Sequence, residues 1–100
     1  MMNPKVATMI GFAKRSGNLA NGFTAVSIHL KKGNAKLVIV SEDIAEDSKR
    51  KISNLCKNHG VRLLAHGSRD EIGAAIGRGP TTSIAILDKK FAKIVEENLL

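Results

Sequence analysis

Apolar residues recur along this chain at two different spacings, and the spacing identifies each element. Val6, Met9, Ile10 and Ala13 fall at i, i+3, i+4 and i+7, one face of a helix. Pro4 suits its first position, Lys14 and Arg15 complement the dipole at its far end, and Gly17 stops it. Residues 18–21 are enough only for a brief edge strand. Asn21 then caps a second helix that begins at Gly22. Phe23, Val26 and Leu30 form its inward stripe. At about 100° per residue, Thr24, Ile28 and Lys31 share an outer face. Lys31, Lys32 and Gly33 end it.

Helical spacing then disappears. Leu37-Val38-Ile39-Val40 is continuously apolar, which predicts a strand over 36–41 buried on both faces. A loop over 42–46 leads to a helix opened by Glu46 or Asp47, with Ile52, Leu55, Cys56 and His59 facing inward and Gly60 as its stop. A second apolar strand covers 61–65. Ser68 and Glu71 have capping-box spacing, and the short helix they open carries Ile72, Ala75 and Ile76 and ends at Gly77. Gly79-Pro80 is a loop, and 83–87 is a third apolar strand. Asp88 caps a last helix bearing Phe91, Ile94 and Val95.

The order α–(β)–α–β–α–β–α–β–α predicts an α/β fold. It is a three-layer α/β/α sandwich with a four-stranded mixed sheet, mostly parallel, with one weak extra strand. The 100 residues make one domain, 1–100, large enough to fold without metal or disulfide.

Charge narrows the partners. Sixteen basic and nine acidic residues give +7, which points to a polyanion. Three Phe and no Trp or Tyr leave an aliphatic core. They also count against modules that stack single-stranded bases on exposed rings. One cysteine, Cys56, excludes an internal disulfide, and its place on the inward stripe marks it as core. Apolar runs of at most four residues cannot cross a bilayer, and early charges (Lys5, Lys14, Arg15) break any signal peptide. A soluble, cytoplasmic protein is expected, with no membrane partner.

Catalytic chemistry is hard to find. His29, His59 and His66 lack metal-ligand spacing and Cys56 has no partner cysteine, so no metal and no cofactor are expected. His59 reads as a half-buried residue at a helix end. Glu42 and Asp43 follow a strand, where open α/β folds place functional groups, but the structural role of capping a helix or holding a loop is preferred. Neither a dinucleotide nor a Walker glycine motif occurs. Gly77-Arg78-Gly79-Pro80 is either a helix stop and turn or a backbone approach to phosphate. No acid, base and nucleophile converge, so the chain is not expected to be an enzyme. The helix start at Asn21-Gly22 is the candidate binding point: free N–H groups and the positive dipole end attract phosphate, and Gly22 lets an RNA backbone come close.

Residues 6–95 resemble a known pattern. Its segments are Ile10-Gly11-Phe12-Ala13-Lys14-Arg15-Ser16-Gly17, Ala35-Lys36-Leu37-Val38-Ile39-Val40-Ser41-Glu42-Asp43, Lys51-Ile52-Ser53-Asn54-Leu55-Cys56, Ile72-Gly73-Ala74-Ala75-Ile76-Gly77 and Phe91-Ala92. In this order and spacing they are similar to the kink-turn RNA-binding ribosomal protein superfamily (large-subunit L-seven-Ae and L-thirty-e type), within its small bacterial YlxQ-like branch. The resemblance implies a non-enzymatic, ribosome-associated protein. Its second helix enters an RNA groove near tandem sheared G·A pairs, and a loop before the last strand packs on an extruded nucleotide, so it reads shape. The implied partners are structured RNA, ribosomal in origin, and neighbouring ribosomal proteins, met by a monomer. The implied RNA-facing set is Asn18, Asn21, Gly22, Thr24, Ala25, Ile28, Lys31, Ile44, Arg78 and Gly79.

The family's second-helix pattern, Gly-x-Asn-Glu-x-x-Lys, keeps only its glycine, at Gly22; Thr24, Ala25 and Ile28 replace the asparagine, glutamate and lysine. Asn18, Ala20 and Asn21 stand where lysines are usual, and the loop at 78–80 is about one residue shorter than in archaeal members. Losing a bidentate link to a base costs about 1–3 kcal/mol in the analogous direct readout. The expected grip therefore shifts to the helix start, the Thr24 hydroxyl, and Lys14, Arg15, Lys31 and Lys32. The alternative is a protein-interaction module on the same scaffold, with Ile28 as an apolar contact.

Overall fold

A computed structural model describes residues 1–100. Helices α1 (Pro4–Arg15), α2 (Phe23–Lys32), α3 (Glu46–Asn58), α4 (Arg69–Ala75) and α5 (Lys89–Leu99) alternate with strands β1 (Leu19–Asn21), β2 (Leu37–Val40), β3 (Leu63–Ala65) and β4 (Ser83–Ile86). The sheet order is β1-β4-β2-β3.

The sheet is mixed as expected, but it is not mostly parallel. Only β2 and β3 pair in parallel; β4 lies antiparallel between β1 and β2. The connection through α4 does not cross the sheet. Residues 66–82 leave and return at one end of the sheet, because Val40 pairs with both Ala65 and Ser83. With α4 confined to that end, β4 can only run back against its neighbours. An apolar run looks the same in either direction, so the sequence pattern could not reveal this.

Both faces of the central strands are covered, which explains their lack of alternation. Leu37, Ile39, Ile84 and Ile86 join Val6 and Ile10 of α1, Ile72 of α4 and Val95 of α5 in one apolar layer. Val38, Val40 and Ala85 join Val26 and Leu30 of α2 and Ile52 and Cys56 of α3 in the other. β3 is an edge strand, shorter than expected and only half-buried.

Three local expectations are corrected. Asn21 does not cap α2. It is the last residue of β1, paired with Ile84, and Gly22 takes the cap position with no side-chain hydrogen bond. Phe23 is 43% exposed rather than inward, since it begins α2 where the helix emerges from the sheet edge. His59 is exposed at the end of α3, because helical geometry stops at Asn58 and the inward spacing stops with it. The predicted caps of α4 and α5 are present: Ser68 and Glu71 form a reciprocal capping box, and the Asp88 carboxylate accepts from the Phe91 N–H at 3.0 Å.

Candidate nucleic-acid interface

Strand pairing brings two distant segments together. β1 ends beside the start of β4, and the Gly22 N–H donates to the Ser83 carbonyl at 2.9 Å. The residues just before Ser83 therefore stand over the start of α2. A cleft of about 290 Å³ opens between them, with Asn21 and Gly22 on one wall and Arg78 through Thr82 on the other.

The α2 wall is unusual. Gly22 has φ 94 and ψ 157, a region that side chains rarely tolerate. Nothing lies within 4 Å of where its Cβ would stand, so space above it is open. No side chain caps the helix and its first turn holds no acid. Its leading N–H groups and positive dipole end thus lie next to the cleft without an internal counterpart. Lys14 adds a cation from α1, its Nζ 3.4 Å from the Asn21 Oδ1.

The facing loop is held firmly. Gly77 turns the chain with φ 73. The Arg78 N–H then donates to the Gly73 carbonyl at 2.8 Å, and the Thr81 N–H to the Arg69 carbonyl at 3.0 Å. The Thr81 hydroxyl donates to the Gly79 carbonyl at 2.9 Å. Gly73 allows this packing: a Cβ there would collide with the Gly79 carbonyl and lie 2.9 Å from the Arg78 oxygen.

Of the residues expected at RNA, Asn21, Gly22, Arg78 and Gly79 line the cleft. Thr24 and Ala25 occupy the first turn beside it. Ile28, 45% exposed, continues the outer face one turn on. Lys31 is exposed but stands about 13 Å along the helix from Gly22. Two residues do not join the group. Asn18 sits at the other end of β1, its side chain donating to the Ser16 hydroxyl at 3.0 Å. Ile44 packs partly buried against the α2–α3 layer. Sequence reasoning included Pro80 in the candidate phosphate loop but missed Thr81 and Thr82 as lining and Gly73 as the loop's seat. Two hydroxyls directly ahead of an apolar strand were the available signal for the threonines.

The competing chemical candidates have structural roles. The Glu42 Oε1 accepts from the Gly67 N–H at 3.1 Å, and the Asp43 Oδ1 from the Arg69 N–H at 3.0 Å, tying two loops together. Cys56 is buried and burial pushes its thiol up to about 11, which keeps it protonated and unreactive. No three His, Cys, Asp or Glu side chains converge as metal ligands. No helix is long and apolar enough to cross a membrane.

Comparison with known proteins agrees with this architecture. The chain is 31% identical over 93 residues to the RNA-binding protein YlxQ of Enterococcus faecium, covering 93% of this chain and 89% of that one. It is 27% identical over 84 residues to the RNA-binding protein YlxQ of Bacillus subtilis (strain 168), covering 84% of each. A solved structure of a Bacillus halodurans C protein of unknown function superposes with a TM-score of 0.91 at 26% identity, covering 95% of this chain and 96% of that one. The model of the ribosomal protein L7Ae/L30e/S12e/Gadd45 family matches residues 5–96, and the chain belongs to that family.

Proposed function

We propose that this chain is a non-enzymatic RNA-binding protein, cytoplasmic and ribosome-associated, that recognises folded RNA of the sharply bent, kink-turn-like kind. It works as a single monomeric domain on structured ribosomal RNA, with ribosomal proteins as neighbours. The observation that carries this reading is the uncapped start of α2 opening onto the cleft at Arg78–Thr82. Phosphate or an exposed base edge would satisfy the N–H groups that the protein leaves unpaired. Gly22 allows a sugar-phosphate backbone to approach, and Arg78 and Lys14 supply charge. The YlxQ relatives carry the description RNA-binding, which supports the same assignment.

Asn18, Asn21, Gly22, Thr24, Ala25, Ile28, Lys31, Ile44, Arg78 and Gly79 are the proposed contacts. Those at the cleft grip by contour. Lys31 meets phosphates along the groove, and Asn18 and Ile44 meet only an RNA that extends past the cleft. Recognition by shape fits a chain that lacks the side chains usual for reading bases on α2.

The test is a titration with a bulged, bent RNA duplex at low salt. Binding should weaken with salt by a slope of about 0.7–0.9 per phosphate neutralised. Thr24→Glu places a carboxylate among the phosphates and should weaken binding at least about tenfold, a difference of about 1.4 kcal/mol. Absence of any complex at low salt, or a Thr24→Glu variant that binds like the parent, overturns the proposal.

A further inference from the structure

The end of β4 opposite the Gly22 cleft carries a second concavity. It measures about 310 Å³ and is lined by Lys36, Lys89, Ala92, Lys93 and Glu96. The Lys36 N–H donates to the carbonyl of Ile86, the last residue of β4, at 2.8 Å. That bond sets the lead-in to β2 beside the start of α5. Lys89 and Lys93 are one helical turn apart, and buried Ala92 forms the floor. The one acid, Glu96, faces Arg62 at 3.7 Å. The ion pairs of the chain join Arg50 to Asp47, Arg62 to Glu96 and Arg69 to Asp43, leaving all three lysines unpaired.

Two features separate this group from ordinary surface lysines. Elements more than fifty residues apart converge on one hollow. The charge order of α5 is also reversed. α3 and α4 begin with acids, and α1, α2 and α3 end with bases. α5 has no acid in its first turn and no base in its last; it begins with Lys89-Lys90 and carries Glu96-Glu97 near its end. Cations at a helix start oppose the dipole, and Lys89 and Lys93 repel at i, i+4. Asp88, whose carboxylate caps the helix, offsets only part of this charge. Local rules broken without full internal compensation mark functional positions, and an anion in the hollow would supply the remainder.

We infer that the Lys36–Lys89–Lys93 cleft is a second RNA site that holds backbone phosphates of a segment other than the one at Gly22. The inference rests on the reading of this chain as RNA-binding. Ammonium groups are point charges that hold phosphate without reading bases, and the cleft offers no ring on which a base could stack. The two clefts are separated by the length of β4, about 13 Å of strand. The protein therefore clamps two stretches of one folded RNA, or joins two RNAs.

The experiment is native mass spectrometry with excess short bulged RNA duplex at low salt, comparing the parent, K36Q/K89Q/K93Q and Thr24→Glu. The parent should take up a second duplex that the triple variant does not. In titrations of a longer folded RNA, the triple variant's salt slope should fall by about 0.7–0.9 for each phosphate it no longer neutralises. A melting temperature no lower than the parent's establishes that the variant is folded. A triple variant that keeps the second duplex and the full slope overturns the inference. So does a parent that binds one duplex only and loses it through Thr24→Glu. If polyglutamate binds the parent more tightly than the duplex and is released by the triple variant, the partner is an acidic protein and the RNA assignment falls. One duplex lost through the triple variant but not through Thr24→Glu upholds this cleft and overturns the Gly22 reading. No duplex bound at all overturns both.

Discussion

α2 and α4 start at the same end of the sheet and are built in opposite ways. At α4, the Ser68 hydroxyl accepts from the Glu71 N–H at 3.1 Å, and the Glu71 carboxylate accepts from the N–H groups of Ser68 at 2.9 Å and Met2 at 2.8 Å. At α2, Gly22 has no side chain to offer and the first turn holds no acid. A side-chain cap contributes about 1 kcal/mol relative to Ala and a few tenths relative to Gly, so α2 forgoes a small stabilisation that α4 takes in full. One helix start is closed by the protein's own groups; the other is left open over a cleft. On the proposed function, the difference between them separates a role in stability from a role in binding.

The largest effect should come from breaking the link between the two. α4 seats the loop that faces α2, and Gly73 is the point where they touch. Gly73→Val forces the helix and the 78–79 carbonyls apart. Overpacking of this kind costs about 1–3 kcal/mol, so the urea midpoint should fall, and RNA affinity should fall with it as Arg78 moves off the cleft. Next comes sharpening the open end. Thr24→Asn, Ala25→Glu and Ile28→Lys together rebuild the family pattern on α2. At about 1–3 kcal/mol per base recognised, affinity for a kink-turn RNA should rise by tenfold or more while affinity for a straight duplex stays level. A triple variant with no gain would mean that this helix face does not meet bases.

Closing or opening the other end should touch stability alone. Ser68→Ala removes the α4 cap and should cost about 1 kcal/mol in chemical denaturation, with RNA titrations unchanged. The same site sets a pH dependence. The Ser68 and Met2 N–H groups, in that order, hold the Glu71 carboxyl below its ordinary value of 4.5. A carboxyl lowered on folding stabilises above its unfolded value, and that contribution is lost as pH falls through the lower folded value. Stability should therefore decline on acidification below about pH 4.5, and Glu71→Gln should flatten that limb of the denaturation profile. An unchanged acid limb would show that Glu71 is not what couples this helix start to protons.

The sequence made α4's closed end legible and α2's open end only partly so. Ser68 and Glu71 announce a capping box within four residues, and Leu37–Val40 announces a doubly covered strand, because each signal is local. Asn21 mimics a cap because its type and position suit one. Only the β1–β4 ladder, a pairing across more than sixty residues, assigns it to the strand instead. The same pairing creates the cleft, so Thr81 and Thr82 could not be placed opposite Gly22 from sequence. Strand direction was hidden for a related reason. The sense of β4 depends on α4 staying at one end of the sheet, which apolar spacing does not record. Gly22, Arg78 and Gly79 were legible through resemblance and helix-end chemistry, and they are the residues the fold brings together.

The smallest expected effect tests the comparison at a third helix start. If an open or ill-matched start marks a binding role, correcting the one at α5 should make the free protein more stable. Lys89→Glu puts an acid at the first position of α5, where it complements the dipole by about 0.3–1 kcal/mol. It also turns the repulsive Lys89–Lys93 spacing into an attractive Glu–Lys one, adding about 0.2–0.5 kcal/mol. For a domain of this size, the sum raises the melting temperature by a few degrees, about 4–8 °C per kcal/mol. The gain should shrink in 1 M salt, where screening length falls to about 3 Å, because nothing but exposed charge has changed. RNA uptake at this cleft should drop in the same variant. Stability and binding would then move in opposite directions, as they should at a helix start arranged for a ligand. If Lys89→Glu melts lower than the parent, the lysine stabilises the free fold, and α5 no longer belongs with α2 in the comparison.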